Sequence, residues 1–141
     1  MITVKELMMD QLYTLKPTNT VHQARDLMLD KQVRHIPIVD NEGKFIGLVT
    51  KRDILAASIS SLAEIENTER DELEDGIPIA KIMISDVVIA QEDANLLDAA
   101  QHLLDQKYGC LPIFRDDKLV GILTEADFVR LAIYLMKSSA K

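Results

Sequence analysis

Apolar positions in the second half of the chain follow two different spacings. Between residues 96 and 104 they recur three and four apart, which predicts one buried face of a helix. These positions are Leu96, Ala99, Ala100, Leu103 and Leu104. Two continuous aliphatic runs follow, CLPIF at 110–114 and LVGIL at 119–123, with the polar stretch RDDK between them. Continuous runs of this kind are typical of strands covered on both faces, and the polar stretch predicts a hairpin turn.

The first half of the chain repeats this order of elements. In residues 35–49, the apolar runs HIPIV and FIGLV flank the polar stretch DNEGK. An offset of 75 aligns Pro37 with Pro112, and after the loss of one residue an offset of 74 aligns Thr50 with Thr124. The only gap falls inside the polar turn, where a hairpin tolerates a change of loop length. We therefore interpret the sequence as an internal duplication.

Each copy predicts the element order β-α-β-β-α. In the first copy a short strand over 10–17 comes first, a helix follows, and the hairpin then leads into a final helix. Thr20 and Gln23 have the spacing of a capping box at the start of the first helix, and Asn95 and Asp98 are their counterparts. The expected fold class is α/β in the broad sense, more narrowly α+β, with two tandem repeats.

A connecting segment of different composition separates the two copies. We place the first repeat at 1–57, an acidic linker at 58–78, and the second repeat with its C-terminal helix at 79–141. Residues 64–75 contain seven acidic residues and one arginine, so this stretch holds −6 of the chain's net charge of −7. It lacks the fixed acidic spacing of an EF-hand loop, and we interpret it as a solvated connector.

Composition narrows the classes of function. A net charge of −7 and the absence of Trp argue against a nucleic-acid surface, which needs clustered basic residues or aromatic platforms. A single cysteine excludes an internal disulfide and fits a reducing compartment. No apolar run has the length of a signal peptide or approaches the roughly 20 residues of a transmembrane helix. We therefore expect a cytoplasmic protein that does not insert into a membrane.

The motifs GLVTKRDIL and GILTEADFV occur at matched positions. In each, a Thr and an Asp stand three apart where a strand becomes a helix, as Thr50 with Asp53 and as Thr124 with Asp127. In structural terms the pair is a capping box that contributes on the order of 1 kcal/mol. In functional terms, a hydroxyl and free N–H groups at a helix start suit a phosphate, and a carboxylate suits the two ribose hydroxyls. The duplication favours a nucleotide site, and so does a glycine inside each preceding strand, where another group is expected to approach closely.

The two stretches that carry these motifs resemble a pair of CBS domains, also called a Bateman module. They read VRHIPIVDNEGKFIGLVTKRDIL at 33–55 and YGCLPIFRDDKLVGILTEADFV at 108–129, and the resemblance covers about 4–57 and 79–135. It implies two β-α-β-β-α repeats packed with pseudo-two-fold symmetry. It also implies regulatory binding of AMP, ADP, ATP or S-adenosylmethionine, with no obligatory cofactor. Dimers of modules and signalling to an effector protein are further implications.

The resemblance implies two ligand sites, each combining the Asp of one repeat with the early strands of the other. One expected site consists of Asp127, Thr124, Thr14, Arg34 and His35. The other consists of Asp53, Thr50, Arg52, Ile89 and Gly109. The Asp would bind ribose, the Thr would lie near phosphate, and the basic residues would contact phosphate. Because Gly109 and Cys110 stand where the first copy has Arg34 and His35, the two sites are expected to be unequal.

An enzyme is not expected. The sequence offers no Ser or Cys nucleophile with a nearby His, no paired carboxylates, no phosphate-binding Gly loop and no catalytic or metal-binding set. A structural alternative stays open, namely a dimerisation or docking module with empty pockets. The last helix predicts a homodimer, because its apolar stripe is wider than one small core needs. The stripe consists of Phe128, Leu131, Ala132 and Leu135, widened by Val129 and Tyr134.

Overall fold

The computed structural model describes residues 2–62, 76–106 and 109–139, with the side chains of 58–62 excepted. Its helices are α1 (Val4–Leu7), α2 (Val21–Lys31), α3 (Lys51–Leu62), α4 (Leu96–Asp105) and α5 (Glu125–Ser139), with a 3-10 helix at Ile79–Lys81. Its strands are β1 (His35–Val39), β2 (Phe45–Thr50), β3 (Ala90–Gln91), β4 (Cys110–Arg115) and β5 (Lys118–Thr124). The mixed helix and strand content confirms the α+β fold class. The acidic run at 64–75 lies outside the described residues.

Both predicted hairpins form. Strand β1 pairs antiparallel with β2, and β4 pairs antiparallel with β5. In the first turn, the Asp40 carboxylate accepts hydrogen bonds from the backbone N–H groups of Glu42 and Lys44, both at 2.9 Å. Counted between aligned positions, the second connection (115–118) is one residue shorter than the first (40–44), and it includes Asp116 at a φ of 54°. The single gap in the repeat therefore lies in a solvent-facing turn, as the alignment predicted.

The predicted starts of the first helix in each copy are also confirmed. The Thr20 hydroxyl accepts from the N–H of Gln23 at 3.2 Å, and the Gln23 side chain accepts from the N–H of Thr20 at 2.9 Å. In the second copy, the Asn95 side chain accepts from the N–H groups of Leu97 and Asp98 at 2.8 and 3.3 Å. These bonds satisfy N–H groups that a helix leaves unpaired at its start.

The strand predicted over 10–17 is wrong except at Leu15. This residue forms an isolated parallel bridge to Ile38, with the N–H of Leu15 donating to Pro37 and its carbonyl accepting from Val39. The polar residues around Leu15 are exposed, and Pro17 has no N–H to extend a ladder. The counterpart in the second copy, β3, is short as well, with two residues that pair parallel with β4.

The chain divides into two compact units that differ from the two sequence repeats. Unit 1 consists of Met1–Leu12 with Val88–Lys141, and unit 2 consists of Tyr13–Val87. Each unit therefore contains the body of one repeat and the opening segment of the other. The repeat boundaries at 57 and 79 stay a prediction about the sequence, whereas compactness follows these units.

Backbone hydrogen bonds hold each exchanged segment in its unit. In unit 1, the N–H of Met9 donates to Ile122 at 2.9 Å, and the N–H of Ile122 donates back to Met9 at 2.9 Å. In unit 2, Leu48 and Ile84 exchange the equivalent pair of bonds at 2.9 and 2.8 Å. The opening segment of each repeat thus lies along the final strand of the other repeat's hairpin.

Each unit has its own apolar core. The core of unit 2 consists of Val21, Ala24, Met28, Ile36, Ile38, Val49, Ile54 and Ile79. The core of unit 1 consists of Val4, Leu96, Ala99, Leu103, Leu111, Ile113 and Leu123. Three of the five apolar positions predicted to face the core from α4 do so, whereas Leu104 is 79% exposed. Across the described residues, no helix combines the length and the apolar character needed to cross a membrane.

Candidate functional site

In unit 2, the start of β1 and the end of β2 lie side by side at the open end of the hairpin, opposite the turn. We call this end, together with the start of the following helix, the edge of the unit. His35 lies opposite Thr50 in the strand register, and the N–H of Lys51 donates to the carbonyl of Arg34 at 2.9 Å. Helix α3 begins directly after Thr50, so Asp53 lies in its first turn at the same edge. The structure therefore brings four predicted site residues of this unit together.

The Thr50–Asp53 pair is a complete capping box. Asp53 Oδ2 accepts from both the N–H and the hydroxyl of Thr50, at 2.9 and 2.8 Å, and the Thr50 hydroxyl accepts from the N–H of Asp53 at 3.2 Å. Thr50 is buried and Asp53 is half-buried. Among the described residues, Asp53 Oδ1 has no hydrogen-bond partner. The structural role predicted for the motif is thus present, and one carboxylate oxygen is left to accept further bonds.

Unit 1 contains the equivalent edge. Cys110 lies opposite Thr124, and the N–H of Thr124 donates to Asp127 Oδ2 at 2.9 Å. The Thr124 hydroxyl is farther from the same oxygen, at 3.5 Å. Asp127 is only 4% exposed, and its Oδ1 accepts from Arg130 Nη2 at 2.6 Å. At this edge each carboxylate oxygen already has a partner within the unit.

Arg130 is a functional candidate that the sequence analysis missed. It follows Asp127 by three residues on α5, a spacing at which two helical side chains can meet. That spacing was the available signal, but alone it is common on exposed helices. Its importance here comes from the burial of Asp127, which only the tertiary structure reveals.

Cys110 is buried beside this edge and is not a nucleophile. Burial raises the pKa of its thiol, and the negative charge of Asp127 raises it further. A thiol must lose its proton before it attacks an electrophile, so this one stays unreactive. In the described part of the chain, no three His, Cys or acidic side chains are grouped as metal ligands.

The strand glycines accommodate the chain's own segments, which removes one argument for a ligand. A Cβ on Gly47 would lie 3.0 Å from both the carbonyl oxygen of Ile84 and the sulfur of Met83. A Cβ on Gly121 would lie 2.5 Å from the sulfur of Met8 and 3.0 Å from the carbonyl oxygen of Met9. The close approach predicted for each glycine is real, but the approaching group is the opening segment of the other repeat.

Four of the predicted site residues are exposed to solvent. Arg34, Arg52 and Thr14 of unit 2 are exposed, and so is Ile89 of unit 1. Thr14 precedes the bridge residue Leu15, whose parallel pairing directs the preceding residues along the start of β1. Ile89 has the same position ahead of β3.

Gly109 is buried at a φ of 63°, a left-handed backbone conformation that favours glycine. A Cβ there would lie 2.9 Å from Glu125 Oε1. The exposed Glu125 side chain can move away, so the left-handed backbone is what disfavours a larger residue at 109, and the position has a structural role beside the edge.

The ten predicted site residues are divided between the units. Unit 2 holds Thr14, Arg34, His35, Thr50, Arg52 and Asp53, and unit 1 holds Ile89, Gly109, Thr124 and Asp127. Arg34 and His35 lie at the edge of Thr50 and Asp53, and Gly109 lies at the edge of Thr124 and Asp127. The expected combination of each Asp with early-strand residues of the other repeat stays a prediction.

Duplicated hairpins with a Thr-x-x-Asp cap and exchanged opening segments define a paired α+β module. The family model described as CBS domain matches the chain twice, at residues 4–60 and 79–134. The chain therefore belongs to the CBS domain family, which confirms the resemblance.

Among curated relatives, CBSX1, a chloroplastic CBS domain-containing protein of Arabidopsis thaliana, is 33% identical over 96% of this chain. The chain spans 66% of the length of CBSX1 and 61% of the length of the Arabidopsis relative CBSX2, so it corresponds to part of each.

Solved structures extend this similarity to the fold. A crystal structure of the Vibrio cholerae protein AcuB is 37% identical, has a TM-score of 0.81, and aligns over 99% of this chain and 96% of its own. CBSX2 in complex with AMP is 29% identical, with a TM-score of 0.77 over 96% of this chain and 99% of its own. The CBS domain pair of protein MJ0100, in complex with 5'-methylthioadenosine and S-adenosyl-L-methionine, is 25% identical. Its TM-score is 0.78 over 92% of this chain and 98% of its own.

Proposed function

We propose that this protein is a regulatory module that binds an adenosine-containing ligand at its Thr-x-x-Asp edges. The observation that carries the proposal is Asp53 Oδ1, which has no hydrogen-bond partner among the described residues, at the edge where the backbone of Arg34 pairs with the start of α3 and its side chain is exposed. Two vicinal ribose hydroxyls are donors that fit a carboxylate acceptor, and a guanidinium fits phosphate oxygens. One small region of unit 2 therefore offers complementary groups for both polar parts of a nucleotide.

The relatives support the same ligand class. CBSX2 binds AMP, and the MJ0100 domain pair binds two adenosine compounds that lack a phosphate chain. The common element is the adenosine group, which matches a site whose fixed acceptor is a carboxylate for ribose. AMP, ADP, ATP and S-adenosylmethionine are accordingly the candidates for this chain.

We assign the module a sensing role without catalysis. At the unit 1 edge the thiol of Cys110 is buried, and burial raises its pKa, so it does not supply a nucleophile there. A bound ligand would act by stabilising one state of the module, and a partner protein would detect that state. The cytoplasmic location stays a prediction from the cysteine content.

Isothermal titration calorimetry of the full chain with AMP, ATP, S-adenosylmethionine and adenosine tests the ligand class. A binding heat and a dose-dependent rise in melting temperature are expected for at least one of the four. Guanosine monophosphate serves as the control, because it has the same ribose and phosphate with another base. The absence of any response to the four compounds would favour the alternative of a docking module with empty pockets.

We also propose that two copies of the chain associate through unit 1. Of the predicted stripe on α5, Phe128 and Leu131 pack on the core of their own unit. The other members, together with Ile133 and Met136, remain exposed. An open apolar groove of about 490 Å³ lies beside Phe128. It is lined by Ile2, Asn95, Leu96, Leu97, Ala100 and Phe128.

This surface favours a second copy as its occupant, because a contiguous apolar patch on a small protein is seldom left in water. Light scattering after size exclusion should give twice the chain mass of 15.9 kDa at micromolar concentration. Leu135→Glu should shift the mass toward the monomer, whereas Leu29→Glu, on an exposed site of unit 2, should not. A monomeric mass for the wild-type chain would contradict the proposal.

A further inference from the structure

The two Thr-x-x-Asp edges differ at one position three residues beyond the Asp. In unit 1 this position holds Arg130, and the offset of 74 places Ala56 at the equivalent position in unit 2. Both side chains lie on the solvent side of their helices, and Ala56 is exposed. The two edges therefore form a natural pair that differs in the presence of one guanidinium.

That guanidinium changes which carboxylate oxygens can accept a new bond. Asp127 Oδ2 accepts from Thr124, and Asp127 Oδ1 accepts from Arg130 at 2.6 Å. The Asp127 side chain is only 5% exposed, so little of either oxygen remains open to a ligand. Asp53, by contrast, is half-buried and bonds through Oδ2 alone.

We propose that Arg130 closes the Asp127 edge and makes it the weaker of two adenosine sites, which leaves Asp53 as the primary one. This inference rests on the proposed function, since it assigns an order to the two edges. A ribose hydroxyl at Asp127 must displace or share a charge-assisted hydrogen bond, which is about twice as strong as a neutral one, and must reach a side chain that is only 5% exposed. At Asp53, Oδ1 makes no such bond to a described residue.

The hydrogen bond between Arg130 and Asp127 can break and form again. The Arg130 side chain is 59% exposed, so its guanidinium can leave Asp127 and be hydrated at the surface. The long aliphatic stem needs only a change of rotamer to do so. Ligand concentration would then decide when the second edge is occupied, and the module would respond over two concentration ranges.

Exchanging the two residues between the edges tests this inference. Arg130→Ala gives the Asp127 edge the residue of its counterpart, and Ala56→Arg places a guanidinium three residues after Asp53. Arg130→Met is the second variant, because it keeps an unbranched apolar side chain and removes the guanidinium with its charge and its N–H donors. AMP titrations of each full-length variant, with melting curves to verify folding, give the affinity and the number of sites.

Four outcomes separate the possibilities. Both Arg130 variants should tighten the weaker site about 10- to 100-fold, and Ala56→Arg should weaken the tighter site by a similar factor. If AMP binds but the exchange leaves both affinities unchanged, the inference fails and the proposed function stands. If Arg130→Ala weakens binding of ATP but not of adenosine, Arg130 binds phosphate and the inference is overturned. If neither the wild-type chain nor any variant binds AMP, ATP or adenosine, the proposed function fails together with the inference.

Discussion

Unit 1 and unit 2 contain the same turn from strand to helix, yet they present different chemistry at it. In both, the N–H of a Thr at the strand end donates to an Asp carboxylate three residues later, at 2.9 Å. In unit 2 the second carboxylate oxygen is open and the neighbouring residues are Arg34 and His35. In unit 1 the second oxygen accepts a hydrogen bond from Arg130, and the equivalent neighbours are Gly109 and Cys110.

The cap uses the same Thr and Asp that the proposed ligand site would use for a separate purpose. The capping bonds depend on backbone N–H groups and so recur wherever the strand-to-helix turn recurs. The capacity to bind a ligand depends on the side chains around the cap, which differ between the copies. Duplication of the motif therefore predicts two similar helix starts but does not predict two similar sites.

The largest expected effect is a difference in AMP affinity between variants of Asp53 and variants of Asp127. Asp53→Ala should weaken AMP binding at the tighter site by about 2–4 kcal/mol, or 30- to 1000-fold, because the ribose loses a charged acceptor. Asp127→Ala should leave that site within a few-fold of wild type. Asp53→Asn keeps an oxygen for the Thr50 cap and should show the binding loss with a smaller loss of stability. Calorimetry in which the two alanine variants behave alike would contradict the difference between the edges.

The next largest effect is on the free energy of unfolding, and it compares substitutions of the two strand glycines. Gly121→Ala should lower the free energy of unfolding by about 1–3 kcal/mol, because its Cβ would lie 2.5 Å from the sulfur of Met8. Gly47→Ala should cost less, since its nearest contacts are at 3.0 Å. Urea unfolding measures both. In the double variant Met8→Ala/Gly121→Ala the two costs should be less than additive, and full additivity would mean that the two residues do not interact.

A smaller effect tests the positive charge at the unit 2 edge. Arg34→Ala should weaken ATP binding by about 1–2 kcal/mol, roughly 5- to 30-fold, and leave adenosine binding unchanged, because only ATP has phosphate for the guanidinium. The loss should shrink at high salt, where exposed charges are screened. Lys44→Ala, in the turn at the opposite end of the same hairpin, is the control. Equal losses for adenosine and ATP would mean that Arg34 does not contact phosphate.

The smallest effect concerns an ion pair of unit 1 that the equivalent positions of unit 2 cannot form. Arg115 donates to Glu92 at 2.6 and 3.2 Å, whereas the repeat places Pro17 and Asp40 at the equivalent positions of unit 2. The hydrogen bond from Arg115 lowers the pKa of Glu92 below its ordinary value. The contribution of this ion pair to stability is therefore present above the ordinary pKa of Glu. It is lost as the pH falls through the lowered pKa of Glu92.

Melting curves of the wild type and Arg115→Ala test this pH dependence. A small difference is expected at pH 7, because exposed pairs contribute little, and the difference should vanish in acid. A difference that persisted at a pH below the lowered pKa of Glu92 would show that Arg115 stabilises the protein by packing and not through its charge.

The sequence predicted the local elements well where the signal was local. The turns at Asp40 and Asp116, the helix starts at Thr20 and Asn95, and the Thr-x-x-Asp caps all depend on residues within four positions of each other. Such patterns specify backbone hydrogen bonds without reference to the rest of the chain. The strand predicted over 10–17 failed because pairing at Leu15 depends on a distant partner strand, while the surrounding polar residues stay in solvent.

By itself, the sequence determined the duplication, the two hairpins with their flanking helices, and the family, because all of these appear as residue types at fixed spacing. Only the tertiary structure decided that each repeat gives its opening segment to the other compact unit, since hydrogen bonds such as those between Met9 and Ile122 join residues far apart in the chain. It also decided what the glycines accommodate and that Asp127 is buried under Arg130. Burial and close approach result from three-dimensional packing, and a linear pattern of residue types does not specify them.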